Sequence, residues 1–208
     1  DDSAQQIRSL IDAASRADCP LVRILDTEIR KGQNPTSAIL AFAHWLAPLA
    51  EHAAKHNVVL AVENALSLRS AEMLWSLIEV DCAPGLGVCW DIASAASIGQ
   101  RPALAVPTLG SRIACVHVKD ARLGPPLDIN VKIGEGELPI AYMLRRLLGI
   151  GYRGWVTVDW DRKLHPSLMD AEQVLPDALL KLREWIAPPA PPAKAAPKAA
   201  PAAAAAAK

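Results

Sequence analysis

The chain has little that would tie it to nucleic acid, a membrane or a disulfide framework. Its 208 residues hold 22 Lys plus Arg against 22 Asp plus Glu, giving a formal net charge of zero. No basic block offers a footprint for a polyanion or an anionic bilayer. No apolar run is long enough to span a membrane, and the polar N-terminus has no basic segment leading into an apolar one. A cytoplasmic location is therefore expected, with neither nucleic acid nor membrane as partner. The four cysteines form no CxxC pair and no zinc-ribbon spacing; Cys89 and Cys115 fall inside expected strands, Cys19 and Cys82 just before strands, and all read as reduced thiols. No GxGxxG follows any strand, so a dinucleotide fold has no fingerprint. His52 and His56 have the spacing of a helical metal pair, but no HExxH glutamate stands between them. With His44 they read as surface or half-buried helix residues.

What the chain does contain is a repeated pattern, 51% hydrophobic residues arranged in short runs. VVLAVE ends on Glu63, GVCWD on Asp91, IACVH on His117 and WVTVD on Asp159. Each run is rich in Val, Ile, Leu and Ala and reads as a buried strand, and stretches of helical character separate them. Strands are expected at 21–25, 58–63, 86–91, 113–118 and 155–160, and helices near 3–17, 36–56, 69–79, 101–109, up to 149, and 171–186. Five βα units in a row suit either an open doubly wound sheet or part of an eight-stranded barrel. Metal-ligand residue types at four successive strand ends suit a barrel mouth, because the carboxyl ends of parallel strands open onto one face. The expected fold is thus α/β, a TIM (β/α)8 barrel present as a partial barrel. Residues 1–187 form the barrel domain, and 188–208, rich in Ala, Pro and Lys, a disordered low-complexity tail.

Taken together, AVEN (61–64), CWD (89–91), HVKD (117–120), IGEGELP (133–139) and GYRGWVTVDW (151–160) resemble the xylose-isomerase-like TIM-barrel superfamily of sugar phosphate isomerases and epimerases, over roughly residues 5–186. The resemblance implies a metal held by Glu63, Asp91, His117 and Asp159, with Glu63 and Asp159 also moving the substrate proton. It implies as well that LVRIL is the family's fourth strand, that the first three strands, about eighty residues, are missing, and that the chain is a C-terminal fragment. Asp1, which is no initiator methionine, leads directly into a helical pattern. Three positions depart from the family pattern. Asp159 stands where Glu is usual, Ser94 where a substrate-facing His is common, and Ala65 follows Asn64 where a His often follows the first Glu.

Isomerising or epimerising a sugar next to its carbonyl requires removal of a carbon-bound proton, which a divalent metal assists as Lewis acid and template while flanking carboxylates carry the proton. An oxygen-rich set with one imidazole suits Mn2+ or Mg2+ and tolerates Co2+ or Zn2+, so ligand identity alone does not fix the metal, and Mn2+ is the first expectation. Lys119 is a candidate for substrate binding, with an exposed ion pair to Asp120 as the alternative. Arg122 could hold a hydroxyl or phosphate in its planar fork, and Ser94 occupies the family's substrate-facing position. Asp26 and Glu28 would face the mouth, with solvated loop acids as the stronger reading, and His165 is placed in a loop. Glu135 and Glu137 flank a glycine turn and receive no catalytic role. Trp90 and Trp160 are expected to pack towards the covering helices.

The function read from these residues is a metal-dependent isomerase or epimerase of a sugar, sugar phosphate or related polyol. Two alternatives stay open: an inosose-dehydratase-like lyase on the same site, and a degenerate, non-catalytic barrel acting as a binding module. A phosphodiesterase of the endonuclease IV branch calls for more histidines and a basic surface. Substrate identity is not legible, and a homo-oligomer is left open.

Overall fold

The computed structural model describes residues 2–81, 83–124 and 128–187. Cys82 and the tail expected over 188–208 lie outside the described residues. Helix α1 (Asp2–Arg16) leads to β1 (Leu21–Leu25) and α2 (Pro35–Lys55). Asn34 caps α2 by accepting a hydrogen bond from Ser37 N–H at 3.0 Å, and Pro35 starts the helix where its missing donor costs nothing. Then follow β2 (Val59–Glu63), α3 (Ala71–Asp81), β3 (Leu86–Asp91), α4 (Ile92–Ser97), α5 (Pro102–Leu109), β4 (Ile113–Val118), β5 (Asp120–Arg122), β6 (Asp128–Val131), α6 (Ile140–Gly149), β7 (Trp155–Val158) and α7 (Ala171–Ile186). No helix of the described residues is long and apolar enough to cross a membrane.

The strands at 21–25, 86–91 and 113–118 occupy the bounds expected from the sequence. Three elements were not anticipated. Helix α4 is too short to show a helical period, and β5 with β6 forms a small antiparallel sheet within what reads as a polar loop. The last strand ends at Val158 instead of continuing to residue 160. The chain turns away there, and Trp160 is half-buried in the following loop, where its indole N–H donates to Met169 O at 3.0 Å. It does not pack under the helices as Trp90 does.

The main sheet has the order β1-β2-β3-β4-β7, all parallel, and curls into half a barrel. Alternation sends Leu60, Val62, Val88, Trp90, Val116 and Val118 to the convex face, where they join the core formed with Leu46, Leu49, Leu74, Leu77 and Met143 of the helices. The concave face has a small-residue floor, Ala61, Cys89 and Cys115, below the polar side chains of the strand ends. Within the described residues β1 and β7 each keep one unpaired edge. Leu25 on β1 and Trp155 on β7 are accordingly 47% and 72% exposed.

A β-bulge decides what lies next to Asp91. Val88 pairs with Ile113 but Cys89 pairs with Cys115, so Ala114 is an extra residue in β4. The shift sets Asp91 opposite His117; without it Asp91 would meet Val116, whose side chain belongs to the other face. Gly87 makes room for this arrangement, since a Cβ there would lie 2.8 Å from Val59 Cγ1 and 3.0 Å from Ala114 Cβ.

Candidate metal centre

Three strand ends and one residue just beyond a fourth supply the site. Glu63 closes β2 and Asp91 closes β3, each only 2% exposed. His117 lies in β4, and Asp159 follows β7, where its N–H donates to Val118 O at 3.0 Å. One carboxylate oxygen from each of Glu63, Asp91 and Asp159 lies within 4.8 Å of the others. His117 Nδ1 is 2.9 Å from Glu63 Oε1 and 3.8 Å from Asp159 Oδ2. The four residues singled out in the sequence therefore come together. Cys89 joins them from below, its sulfur within the same distance of ligand atoms on Glu63 and His117.

Two protein cations sit among these acids. Arg23, from β1, pairs through its guanidinium with Glu63 Oε2. Lys119 Nζ bridges Asp91 Oδ2 at 3.2 Å and Asp159 Oδ2 at 2.8 Å. Burial works to raise the Glu63 carboxyl, but the hydrogen bond and charge of His117 and the charge of Arg23 outweigh it and hold the group below its ordinary value. Burial likewise works to lower His117, and contact with Glu63 outweighs it, so the imidazole lies above its ordinary value. Lys119 is also raised, the Asp91 and Asp159 carboxylates overcoming its burial. The Cys89 thiol, hydrogen-bonded with Cys115 and buried, is pushed well up and stays protonated.

Three buried polar side chains hold the loops around this cluster. Asn64 is fully buried; its Oδ1 accepts from Asp91 N–H at 2.7 Å and its Nδ2 donates to Asp91 O at 3.0 Å. Asp26 accepts from the backbone N–H groups of Ala65, Leu66, Ser67 and Leu68. Its carboxylate is committed to ordering that loop, which corrects the expectation of a solvated acid. Asp120, 1% exposed, accepts from the N–H groups of Ala121, Gly134, Gly136 and Leu138. It is enclosed by the GEGEL segment and makes no ion pair with Lys119, contrary to the bland reading of that dipeptide.

Ser94 donates its backbone N–H to Asp91 Oδ1 at 2.8 Å and lines, with Asp91, Lys119, Ala65, Arg69 and Ser97, a depression of about 210 Å3. Arg122 lines a different depression with Trp160 and Met169. Glu137 accepts from Leu123 N–H and Glu135 borders the α7 side of the fold. Glu28 and His165 are exposed, and exposed His44 pairs with Asp81 Oδ2 at 3.3 Å. Arg23 and Asn64 were not singled out as site residues. A charged residue in the middle of the apolar run LVRIL was the available signal for Arg23.

The donor set fits a divalent ion. It offers three carboxylate oxygens within 4.8 Å of one another and an imidazole whose Nδ1 stands 2.9 Å from Glu63 and 3.8 Å from Asp159, and hydrogen bonding fixes Asp91 Oδ1 while leaving Oδ2 directed at Asp159's partner Lys119. Such an oxygen-rich set suits Mn2+, Mg2+, Co2+ or Zn2+.

Half a parallel barrel with acids and a histidine at its strand ends defines a class, and the sequence agrees: the chain belongs to the xylose isomerase-like TIM barrel family, whose model matches residues 1–185. A xylose isomerase domain protein from Planctomyces limnophilus is 24% identical and superposes with a TM-score of 0.69 over 88% of this chain and 65% of its own. A D-tagatose 3-epimerase-like protein is 23% identical, with a TM-score of 0.69 over 88% of this chain and 71% of its own. The IolI protein, solved with a zinc atom bound, is 14% identical, with a TM-score of 0.68 over 88% of this chain and 68% of its own. The chain thus spans about two thirds of the length of these structures, and at these identities the likeness establishes the fold. None of the curated proteins matches this chain in sequence.

Proposed function

We propose that this chain is the metal-binding part of a sugar isomerase or epimerase, acting on a sugar, sugar phosphate or related polyol by proton abstraction next to a carbonyl. The observation that carries the reading is the convergence of Glu63, Asp91, Asp159 and His117 at one end of the sheet. Those four residues would hold the ion, Mn2+ first, with Mg2+, Co2+ or Zn2+ as substitutes. The ion would polarise the carbonyl and stabilise the negative charge that develops on its oxygen. A zinc atom in the IolI structure and the epimerase-like relative support the same reading.

The chain's own groups divide the remaining work. Glu63, buried and kept ionised by His117 and Arg23, accepts the carbon-bound proton at a carboxylate oxygen once a substrate hydroxyl takes the Arg23 contact. For epimerisation Asp159, 27% exposed at its side chain, takes a proton from solvent and delivers it to the opposite face of the carbon, after which Glu63 releases the abstracted proton to solvent; for isomerisation Glu63 itself returns the proton to the adjacent carbon. Lys119, which stays protonated, donates to Asp159 Oδ2 or to a substrate hydroxyl. Ser94 borders the depression where the sugar enters, and Arg122 offers its guanidinium at a second depression. The proposal includes a small-molecule substrate and a cytoplasmic setting.

The test is solvent exchange. Ketopentoses and ketohexoses incubated with the Mn2+-loaded protein in D2O should gain deuterium at the carbon beside the carbonyl, and Glu63→Gln and Asp159→Asn should abolish the gain. Product analysis separates epimerisation from a lyase reaction, which releases water instead. A non-catalytic binding module is the second reading. It is favoured by Lys119 and Arg23, which already neutralise the acids, and by Asp159, Ser94 and Ala65. It predicts no exchange with any ketose, and none gained in Asp159→Glu.

A further inference from the structure

At the opposite end of the fold a second set of ligand-type side chains meets across two helices. Asp12 lies on α1, and His52 and His56 lie four residues apart at the end of α2, so both rings point to one side of the helix. His52 Nε2 is 2.7 Å from Asp12 Oδ1, and His56 Nε2 is 3.8 Å from the same oxygen. The two rings have centroids 4.5 Å apart, tilted by 43°. All three ligand atoms lie within 4.8 Å of one another. The three groups belong to none of the strand ends, since the end of α2 leads into the start of β2.

The backbone beneath them is fixed. Ile11 and Ala53, neighbours of Asp12 and His52, are fully buried in the core. Ser15 Oγ donates to His56 O at 3.1 Å, tying α1 to the end of α2.

We propose that Asp12, His52 and His56 form a second divalent transition-metal site that clamps α1 to α2, with Zn2+ as the ion its donors suit. Two imidazole nitrogens and one carboxylate oxygen are a common three-ligand set for Zn2+, with the fourth tetrahedral position left to water. Ligand atoms around such an ion stand about 3.4 Å apart. The distances of 2.7 and 3.8 Å bracket that spacing, so side-chain adjustment alone admits the ion. Asp12 and His56 each keep 40% of their side chains exposed, which gives the ion an entry path and the water a place. The nitrogen-rich donors discriminate against Mg2+ and Mn2+, which favour oxygen. This separates the site from the acidic one at the strand ends.

The experiment measures Zn2+ bound per chain at equilibrium in the wild type, in His52→Gln with His56→Gln, and in Asp91→Asn with Glu63→Gln. The expected result is loss of one Zn2+ equivalent in the histidine variant, its retention in the strand-end variant, and a Zn2+-dependent rise in melting temperature that persists in the strand-end variant and disappears when the histidine and strand-end substitutions are combined. Should the double variant fail to fold, exposed His56→Gln and near-isosteric Asp12→Asn each serve alone and should weaken Zn2+ binding. Equal Zn2+ stoichiometry and affinity in wild type and histidine variants would overturn the proposal and leave the three residues as an ion-paired helix contact.

Discussion

Asn64 grips the backbone of Asp91 from both sides, accepting from its N–H at 2.7 Å and donating to its C=O at 3.0 Å. The amide thereby locks the end of β2 to the end of β3 and aims two of the site's acids at each other. Replacing it with Leu keeps the volume but strands two buried backbone groups. Each orphaned group costs on the order of 1–3 kcal/mol, so Asn64→Leu should lower unfolding stability by roughly 2–6 kcal/mol in urea titrations and weaken Mn2+ binding as well. A variant with unchanged stability would mean that other groups hold the strand ends.

Gly136 faces Asp120 so closely that a Cβ there would overlap the carboxylate. Asp120 cannot move aside, because four backbone N–H groups surround it. Gly136→Ala should therefore cost roughly 2–4 kcal/mol. Gly32, whose added Cβ would meet nothing, has a φ of +84° and provides the comparison, since any cost of Gly32→Ala comes from backbone strain alone.

The residue types along and at the ends of the apolar runs made β1 to β4 and the acids that meet at the strand ends readable, because burial on both faces leaves continuous apolar runs that stop where the mouth begins. The bulge at Ala114 was not readable, yet it places His117 beside Asp91. A single extra residue changes register without changing composition. The Asp26 and Asp120 carboxylates read in sequence as solvated or paired acids, because their partners are backbone N–H groups that no side-chain pattern announces. Lys119 reads in sequence as the partner of its neighbour Asp120, whereas it follows the end of β4 and its partners lie on β3 and beyond β7.

Lys119 Nζ holds Asp91 and Asp159 by charge, which competes with any ion for the same oxygens. Lys119→Met should make metal-free protein less stable and Mn2+ binding tighter, by about tenfold for each 1.4 kcal/mol of competition removed. It should lower turnover at the same time. Calorimetric titration with Mn2+ checks the affinity, and weaker binding in the variant would show that Lys119 supports the ion instead of competing with it.

The Glu63 and His117 pair makes stability depend on pH in opposite ways at its two ends. Glu63 is depressed below 4.5, so its contribution is present above that value and lost as pH falls through the lowered one. His117 is raised above 6.5, so its contribution is present below that value and lost as pH rises through the raised one. In metal-free protein the pair is strongest between 4.5 and 6.5. His117→Gln should cost about 1–3 kcal/mol there and less at about pH 9. Urea unfolding at both pH values checks this, and an equal cost at each would remove the ion pair from the account.

The central claim is an oxygen-rich ion site at the strand ends, and the most direct measurement is Mn2+ bound per chain in wild type, in Glu63→Gln with Asp91→Asn, and in His52→Gln with His56→Gln. One Mn2+ equivalent in wild type, lost in the acid variant and kept in the histidine variant, is the predicted result. No Mn2+ bound by the wild type, or equal binding in all three, would contradict it.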